Sequence, residues 1–112
     1  MAKKVIRTYS RITRHAAALL GTKIRIARKE RKITEKELAE RAGISRGLLQ
    51  RIEKGNLKCQ IGSVFEVATL VGIKLFDADE SSLTTMIRQA DDKIALLPKH
   101  IHSGEKAVDD DF

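Results

Sequence analysis

Residues 33–55, ITEKELAERAGISRGLLQRIEKG, constrain this chain more than any other stretch, because each local signal in them asks for two short helices joined by a tight turn. Thr34 is placed to cap a first helix, and Glu37, three residues on, to reach back to the N–H of the cap itself, the reciprocal arrangement of a capping box. Leu38, Ala39 and Ala42 then form a short apolar stripe. Gly43 follows where the helix must stop and the backbone must turn left-handed, a conformation that carries no steric penalty for glycine. Ser45 is a second N-cap, and Leu48, Leu49 and Ile52 give the second helix a buried face at helical spacing. Gly55 ends it.

Two helices this short bury little by themselves, so the surface they expose carries the meaning. The second presents Arg46, Gly47, Gln50, Arg51 and Lys54, a face that is polar, basic and free of carboxylates. Arg and Gln carry paired donors or acceptors that match guanine and adenine edges in the major groove, which is wide enough to admit a helix. This is the pattern of a helix-turn-helix reader of double-stranded DNA, with Arg46, Gly47, Gln50 and Arg51 as base-reading candidates. Ser45, Lys54, Asn56 and Lys58 flank them as phosphate-contact candidates.

On these residues the chain resembles the lambda-repressor-like (Cro/cI, or XRE) helix-turn-helix family over roughly residues 20–76. The matching positions are Ala39 between the two helices, Gly43 in the turn, Leu49 and Ile52 in the core, and Glu53 followed by Gly55. The resemblance implies an all-α, five-helix lambda-repressor-like domain, here with an extra N-terminal helix and a flexible acidic C-terminal tail. It also implies that Arg46, Gly47 and Arg51 face bases, and that Arg28 and Glu53 form a structural ion pair tying the first helix to the reader. One position departs from the family: Glu35 stands where a phosphate-binding Gln is usual, and a carboxylate repels a phosphate, so that contact is not carried over.

Charge is distributed to suit a nucleic-acid partner. Residues 1–60 hold 17 Lys and Arg against 5 Asp and Glu, and residues 61–112 hold 5 against 10, so the halves are +12 and −5 within a net charge of +7. Basic charge around the reader supplies sequence-independent attraction to phosphates that weakens steeply with salt. The alternative, that these cations merely solvate helix faces, leaves their coincidence with the reader unexplained. A chain of 112 residues is the size of one domain with a modest core. Its single Cys59 excludes an internal disulfide and a cysteine-rich zinc site. Cys59 beside Lys58 is a thin warrant for a reactive thiol. The basic start MAKK is followed by no long apolar run, and AAALL is too short to span a bilayer, so the expectation is a cytoplasmic, nucleoid-associated protein with no membrane role.

Three segments are expected: an N-terminal arm over residues 1–9, a DNA-binding and dimerisation domain over 10–97, and a tail over 98–112. In the arm, Val5 and Ile6 have strand-edge character. From the cap Ser10, the residues Ile12, Ala16, Leu19 or Leu20, Ile24 and Ala27 keep a helical period, which Gly21 is expected to divide into the extra helix and the first helix of the repressor-like fold. Residues 61–71 read as a core helix that stops at Gly72, with Phe65 in the core. Asp77, with Glu80, is placed to cap a further helix. Along it Leu83, Ile87, Ala90, Ile94 and Leu97 alternate spacings of four and three, a seam of the kind that pairs helices, and Pro98 ends it. The seam either packs on its own domain or makes a homodimer; two-fold readers of palindromic operators favour the dimer.

No catalytic constellation is present: no phosphate-cradling glycine loop, no nucleophile with a base at a recognisable spacing, no paired carboxylates able to face one cleft. His15, His100 and His102 form no metal-ligand set with a carboxylate. The reading is therefore not an enzyme, with no cofactor and no metal. Beyond the reader, the layout resembles HipB-like antitoxins encoded beside HipA-type toxin kinases, through SRITRHAAALLG, GSVFEVATLVGIKLFDAD, and LLP followed by VDDDF. That resemblance implies a repressor of its own toxin-antitoxin operon, with a HipA-like kinase toxin or an accessory small antitoxin as partner. The alternatives are a stand-alone phage-type repressor without a toxin, and an RNA-associated or coactivator scaffold, for which stacking aromatics are scarce. The acidic tail, three aspartates before Phe112, is either a solvated extension or a short docking peptide.

Overall fold

The computed structural model describes residues 8–101. The strand-edge expectation at Val5 and Ile6, and those for His102 and the tail from residue 102 onward, lie outside the described residues. Within them the chain is all-α: α1 (Arg11–Glu30), α2 (Glu35–Ala42), α3 (Arg46–Glu53), α4 (Ile61–Leu70), a single 3-10 turn (Leu75–Asp77) and α5 (Glu80–Leu96). It divides between Asp77 and Ala78 into two compact units.

In the first unit the local signals act as their chemistry demands. The Ser10 hydroxyl accepts from the Thr13 N–H at 3.2 Å and opens α1. Thr34 and Glu37 complete the capping box of α2, with Glu37 N–H to Thr34 Oγ1 at 3.0 Å and Thr34 N–H to Glu37 Oε1 at 2.8 Å. Gly43 closes α2 in the left-handed region at φ 71°, and the next N–H, of Ile44, returns to the Ala39 carbonyl at 3.0 Å. Ser45 Oγ accepts from Leu48 N–H at 3.0 Å and starts α3 two residues later. The core assembles Ile24 of α1, Leu38 and Ala39 of α2, Leu49 and Ile52 of α3, and Val67, Ala68 and Val71 of α4 and its cap. α2 lies against both α3 and α4, while α1 packs on α3.

Gly21 does not divide α1. The helix runs unbroken from Arg11 to Glu30, so the extra N-terminal helix and the first repressor-like helix are one element. The glycine answers to packing: a Cβ at Gly21 would fall 2.5 Å from the Ile52 carbonyl oxygen and 2.7 Å from that of Glu53. A second close approach lies one turn earlier on α1, where Gly55, at φ 79°, abuts Ala18 with a Cβ position 2.7 Å from the Ala18 Cα. α1 thus seats on the end of α3 backbone to backbone. Helix propensity at Gly21 costs about 1 kcal/mol relative to Ala, too little to break a helix with caps at both ends.

Two further expectations shift. Asp77 does not cap the last helix, because Phe76 and Asp77 both sit at positive φ (56° and 55°), whereas an N-cap takes extended backbone. Asp79 is the cap, accepting from Ser82 N–H at 2.9 Å. Phe65 is half-buried rather than fully enclosed.

The second unit consists, among the described residues, of α5 and its flanks. No residue of α5 is buried. On the seam Ile87 is 60% and Ile94 68% exposed. Leu97 takes extended backbone, ψ 155°, as the residue before Pro98 must, and the helix ends there.

Candidate nucleic-acid interface

α3 has two chemically distinct sides. Leu49 and Ile52 point into the core with Leu48 half-buried beside them, whereas Arg46, Gly47, Gln50, Arg51 and Lys54 are all exposed. All four base-reading candidates thus share the outer side of one two-turn helix. A Cβ at Gly47 would meet nothing closer than Arg51 Nη1 at 3.8 Å and Ser45 Oγ at 3.9 Å, ordinary contact distances. Nothing inside the fold requires a glycine there.

A buried ion pair ties the end of α3 to α1. Arg28 and Glu53 are each only 7% exposed. Arg28 Nε donates to Glu53 Oε2 at 2.6 Å and Nη2 to Oε1 at 3.2 Å, while Nη1 donates to the Ile33 carbonyl at 3.0 Å. One guanidinium therefore ties α1, the turn before α2 and the last residue of α3, with its donors matched bidentately to the carboxylate. The hydrogen bond to Glu53 raises the Arg28 pKa above its ordinary value against the opposing effect of burial, so the guanidinium stays charged. Glu53 accordingly belongs to the interior although its neighbours on α3 belong to the surface.

Glu35 has a more active place than a lost phosphate contact. From the first position of α2 its Oε1 accepts from Gln50 Nε2 at 3.1 Å and lies 3.5 Å from Arg46 Nη2, while Oε2 is 3.9 Å from Arg28 Nη2. The exposed face of α3 is therefore not free of carboxylate, since α2 lends it one. The Gln50 hydrogen bond, followed by the charges of Arg28 and Arg46, lowers the Glu35 pKa below the ordinary carboxylate value despite partial burial. A chain of contacts thus runs from Glu53 through Arg28 and Glu35 to two base-reading candidates.

The phosphate candidates are arranged around this face. Ser45 spends an oxygen lone pair on capping and keeps its O–H to donate. Lys54 shares a shallow hollow of about 280 Å³ with Arg25, Glu35, Gln50 and Glu53. Asn56 Oδ1 accepts from the Lys58 N–H at 2.7 Å, which shapes the loop after α3. A second hollow of about 460 Å³ is lined by Asn56, Leu57 and Lys58 together with Thr8, Tyr9 and Arg14. Arg14 and Arg25, which line these two hollows, are not among the candidates read from the amino-acid order. Arg14, Gly21 and Arg28 recur every seven residues on α1 and so share one side of it, a signal legible only once α1 is known to be continuous. Cys59 is half-buried against the core.

Among the described residues, no three His, Cys, Asp or Glu side chains stand close enough to hold a metal ion. Nor is any helix among them long and apolar enough to cross a membrane.

Residues 24–75 match a protein-family model described as helix-turn-helix. Over 56 residues, 50% of this chain, the protein is 38% identical to the immunity repressor protein of Bacillus phage phi105. That stretch is 39% of the phage protein, so the chain spans well under half the length of this relative. No solved structure matches.

Proposed function

We propose that the protein is a sequence-specific, DNA-binding transcriptional regulator of the repressor type and not an enzyme. The observation that carries this reading is the outward display of Arg46, Gly47, Gln50 and Arg51 on a helix whose opposite side is locked into the core by Leu49, Ile52 and the Arg28–Glu53 pair. Such a helix enters a major groove as a rigid body, with Arg46 and Arg51 suited to guanine and Gln50 to adenine. Ser45, Lys54, Asn56 and Lys58 set its register on the phosphates. The similarity to a phage immunity repressor supports the same reading.

The regulator acts in the cytoplasm, on the nucleoid, as a homodimer on a palindromic operator, with the α5 seam of Leu83, Ile87, Ala90, Ile94 and Leu97 as the pairing surface. Two copies then read half-sites about one helical turn apart. A finer reading, supported by the layout of the N-terminal helix and by the runs SRITRHAAALLG and GSVFEVATLVGIKLFDAD, makes it the DNA-binding or antitoxin component of a HipA-type operon. The neighbouring reading frame tests that: a kinase-like protein is expected, and its absence returns the protein to a stand-alone repressor.

Selection of bound duplexes from a random pool tests the main reading. A palindromic consensus should emerge, and Arg46→Ala should lose roughly 1–3 kcal/mol on it with relaxed choice at one base pair. Failure to enrich any sequence would overturn sequence-specific binding.

A further inference from the structure

Before the matched residues 24–75, α1 runs on for more than three turns towards its N-terminus. This segment is held, not trailing: Gly21 abuts the Ile52 and Glu53 carbonyls, and Gly55 abuts Ala18. The two close approaches set the distance between α1 and the loop after α3, and one side of α1 then carries Arg14 to that loop. There Arg14, Tyr9 and Thr8 meet Asn56, Leu57 and Lys58 around an open cleft of about 460 Å³.

The lining is chemically one-sided. It offers a guanidinium, an ammonium, a side-chain amide and two hydroxyls, and it contains no carboxylate. Two of the donors are oriented by their own backbone: Arg14 Nη1 donates to the Tyr9 carbonyl at 2.5 Å, and Asn56 Oδ1 is occupied by the Lys58 N–H, so the Asn56 amide presents its NH2 as the free end. Oriented donors without a competing acid suit an anion with several oxygens. The cleft also begins three residues after α3, beside the C-terminal end of the proposed reading helix. The phosphates that border a major groove about 12 Å wide are the anions found there.

We infer that Arg14 joins Asn56 and Lys58 in a clamp for one or two DNA backbone phosphates, which the N-terminal half of α1, before the matched residues 24–75, completes. The inference rests on the DNA-binding reading above and deepens it: the reader supplies sequence choice, and the cleft adds affinity indifferent to sequence. Arg14 is the distinguishing residue, because only a continuous α1 seated through Gly21 brings it to the loop.

The test uses the full chain and fluorescence anisotropy on a selected duplex and on a random one, from 50 to 200 mM salt, with circular dichroism of each variant. Each lost phosphate contact should lower the slope of log affinity against log salt by about 0.9, which over this range removes about 3.5-fold of the salt-induced loss. Arg14→Ala should show that change, weaken both duplexes by the same factor and leave the helical signal intact. Arg14→Lys should recover most of the slope, and Arg14→Ala with Lys58→Ala should lower it by about 1.8. Wild-type slope in both alanine variants, with DNA binding retained, overturns the clamp and leaves the regulator reading standing. Absence of any duplex binding by the wild-type protein overturns both. Saturable binding of inorganic phosphate at constant ionic strength, with unchanged DNA slopes, would assign the cleft to a free anion instead.

Discussion

The side-chain amide of Gln50 donates to the carboxylate of Glu35 at 3.1 Å, joining the start of α2 to the middle of the proposed reading helix. One amide hydrogen is thereby used, while the second and the amide oxygen remain, the pair that an adenine edge engages. Glu35 also lies 3.5 Å from Arg46, so one carboxylate steadies two base-reading candidates while repelling phosphates nearby. Neutralising it should loosen both restraints.

Glu35→Gln should therefore raise affinity for random-sequence duplex, by up to roughly 1 kcal/mol, about fivefold, because Arg46 is mostly exposed and solvent screens the pair. Affinity for the selected operator should rise less, so discrimination falls. Competition between the two duplexes measures this directly; an unchanged ratio would remove Glu35 from any part in specificity.

Gly47 and Gly21 should respond oppositely to the same substitution. Gly47→Ala meets no atom closer than 3.8 Å and gains helix propensity, so it should stabilise the fold by up to about 1 kcal/mol while weakening operator binding. Gly21→Ala drives a methyl group into the Ile52 carbonyl and should cost roughly 1–3 kcal/mol. Thermal melting of both variants, with anisotropy for Gly47→Ala, checks the pair.

Glu53→Gln leaves Arg28 charged and without its carboxylate in a site 7% exposed. The expected cost is roughly 3–5 kcal/mol in denaturant unfolding. A melting temperature like that of wild type, together with a changed operator preference, would move Glu53 from the interior role to DNA reading.

Acid should erode stability through Glu35 and Glu37. The Glu35 carboxyl is held below its ordinary value of 4.5 chiefly by Gln50, and that of Glu37 chiefly by the Thr34 backbone N–H. A depressed folded value means that folding sheds protons, so the contribution is complete above about 4.5 and is lost as pH falls through the lower folded values. Melting temperatures followed downward from pH 5 should fall less steeply in Glu37→Gln, which has already lost this titration. An equal slope would deny the capping box its pH dependence.

Ile87→Asp or Ile94→Asp places a charge on the α5 seam. Either variant should sediment as a monomer with wild-type helical content and bind a full palindromic operator much more weakly than the parent protein. An unchanged oligomer would locate self-association on another surface.

Most features that depend on residues three to five apart were legible in the amino-acid order alone, the exception being the cap of α5, which falls on Asp79 and not on Asp77. The capping box of Thr34 and Glu37, the left-handed Gly43 and the Ser45 cap are local hydrogen-bond and steric problems with few solutions, and the structure solves them as the residue types require. The outward set on α3 followed from helical period for the same reason. The Arg28–Glu53 pair, 25 residues apart, came through family resemblance, since nothing local joins the two. Where the deciding partner is distant and no pattern names it, residue type misled. Gly21 has the local signature of a helix break, yet its role was set by carbonyls of Ile52 and Glu53 more than thirty residues away. Glu35 reads as a bare charge beside DNA until packing brings Gln50 and Arg46 to it. Arg14 is one cation among many until the same close packing sets it opposite Asn56 and Lys58. Local propensity chooses the elements; which side chains meet across them is settled by how closely two backbones can approach, and that distance exists only in the folded chain.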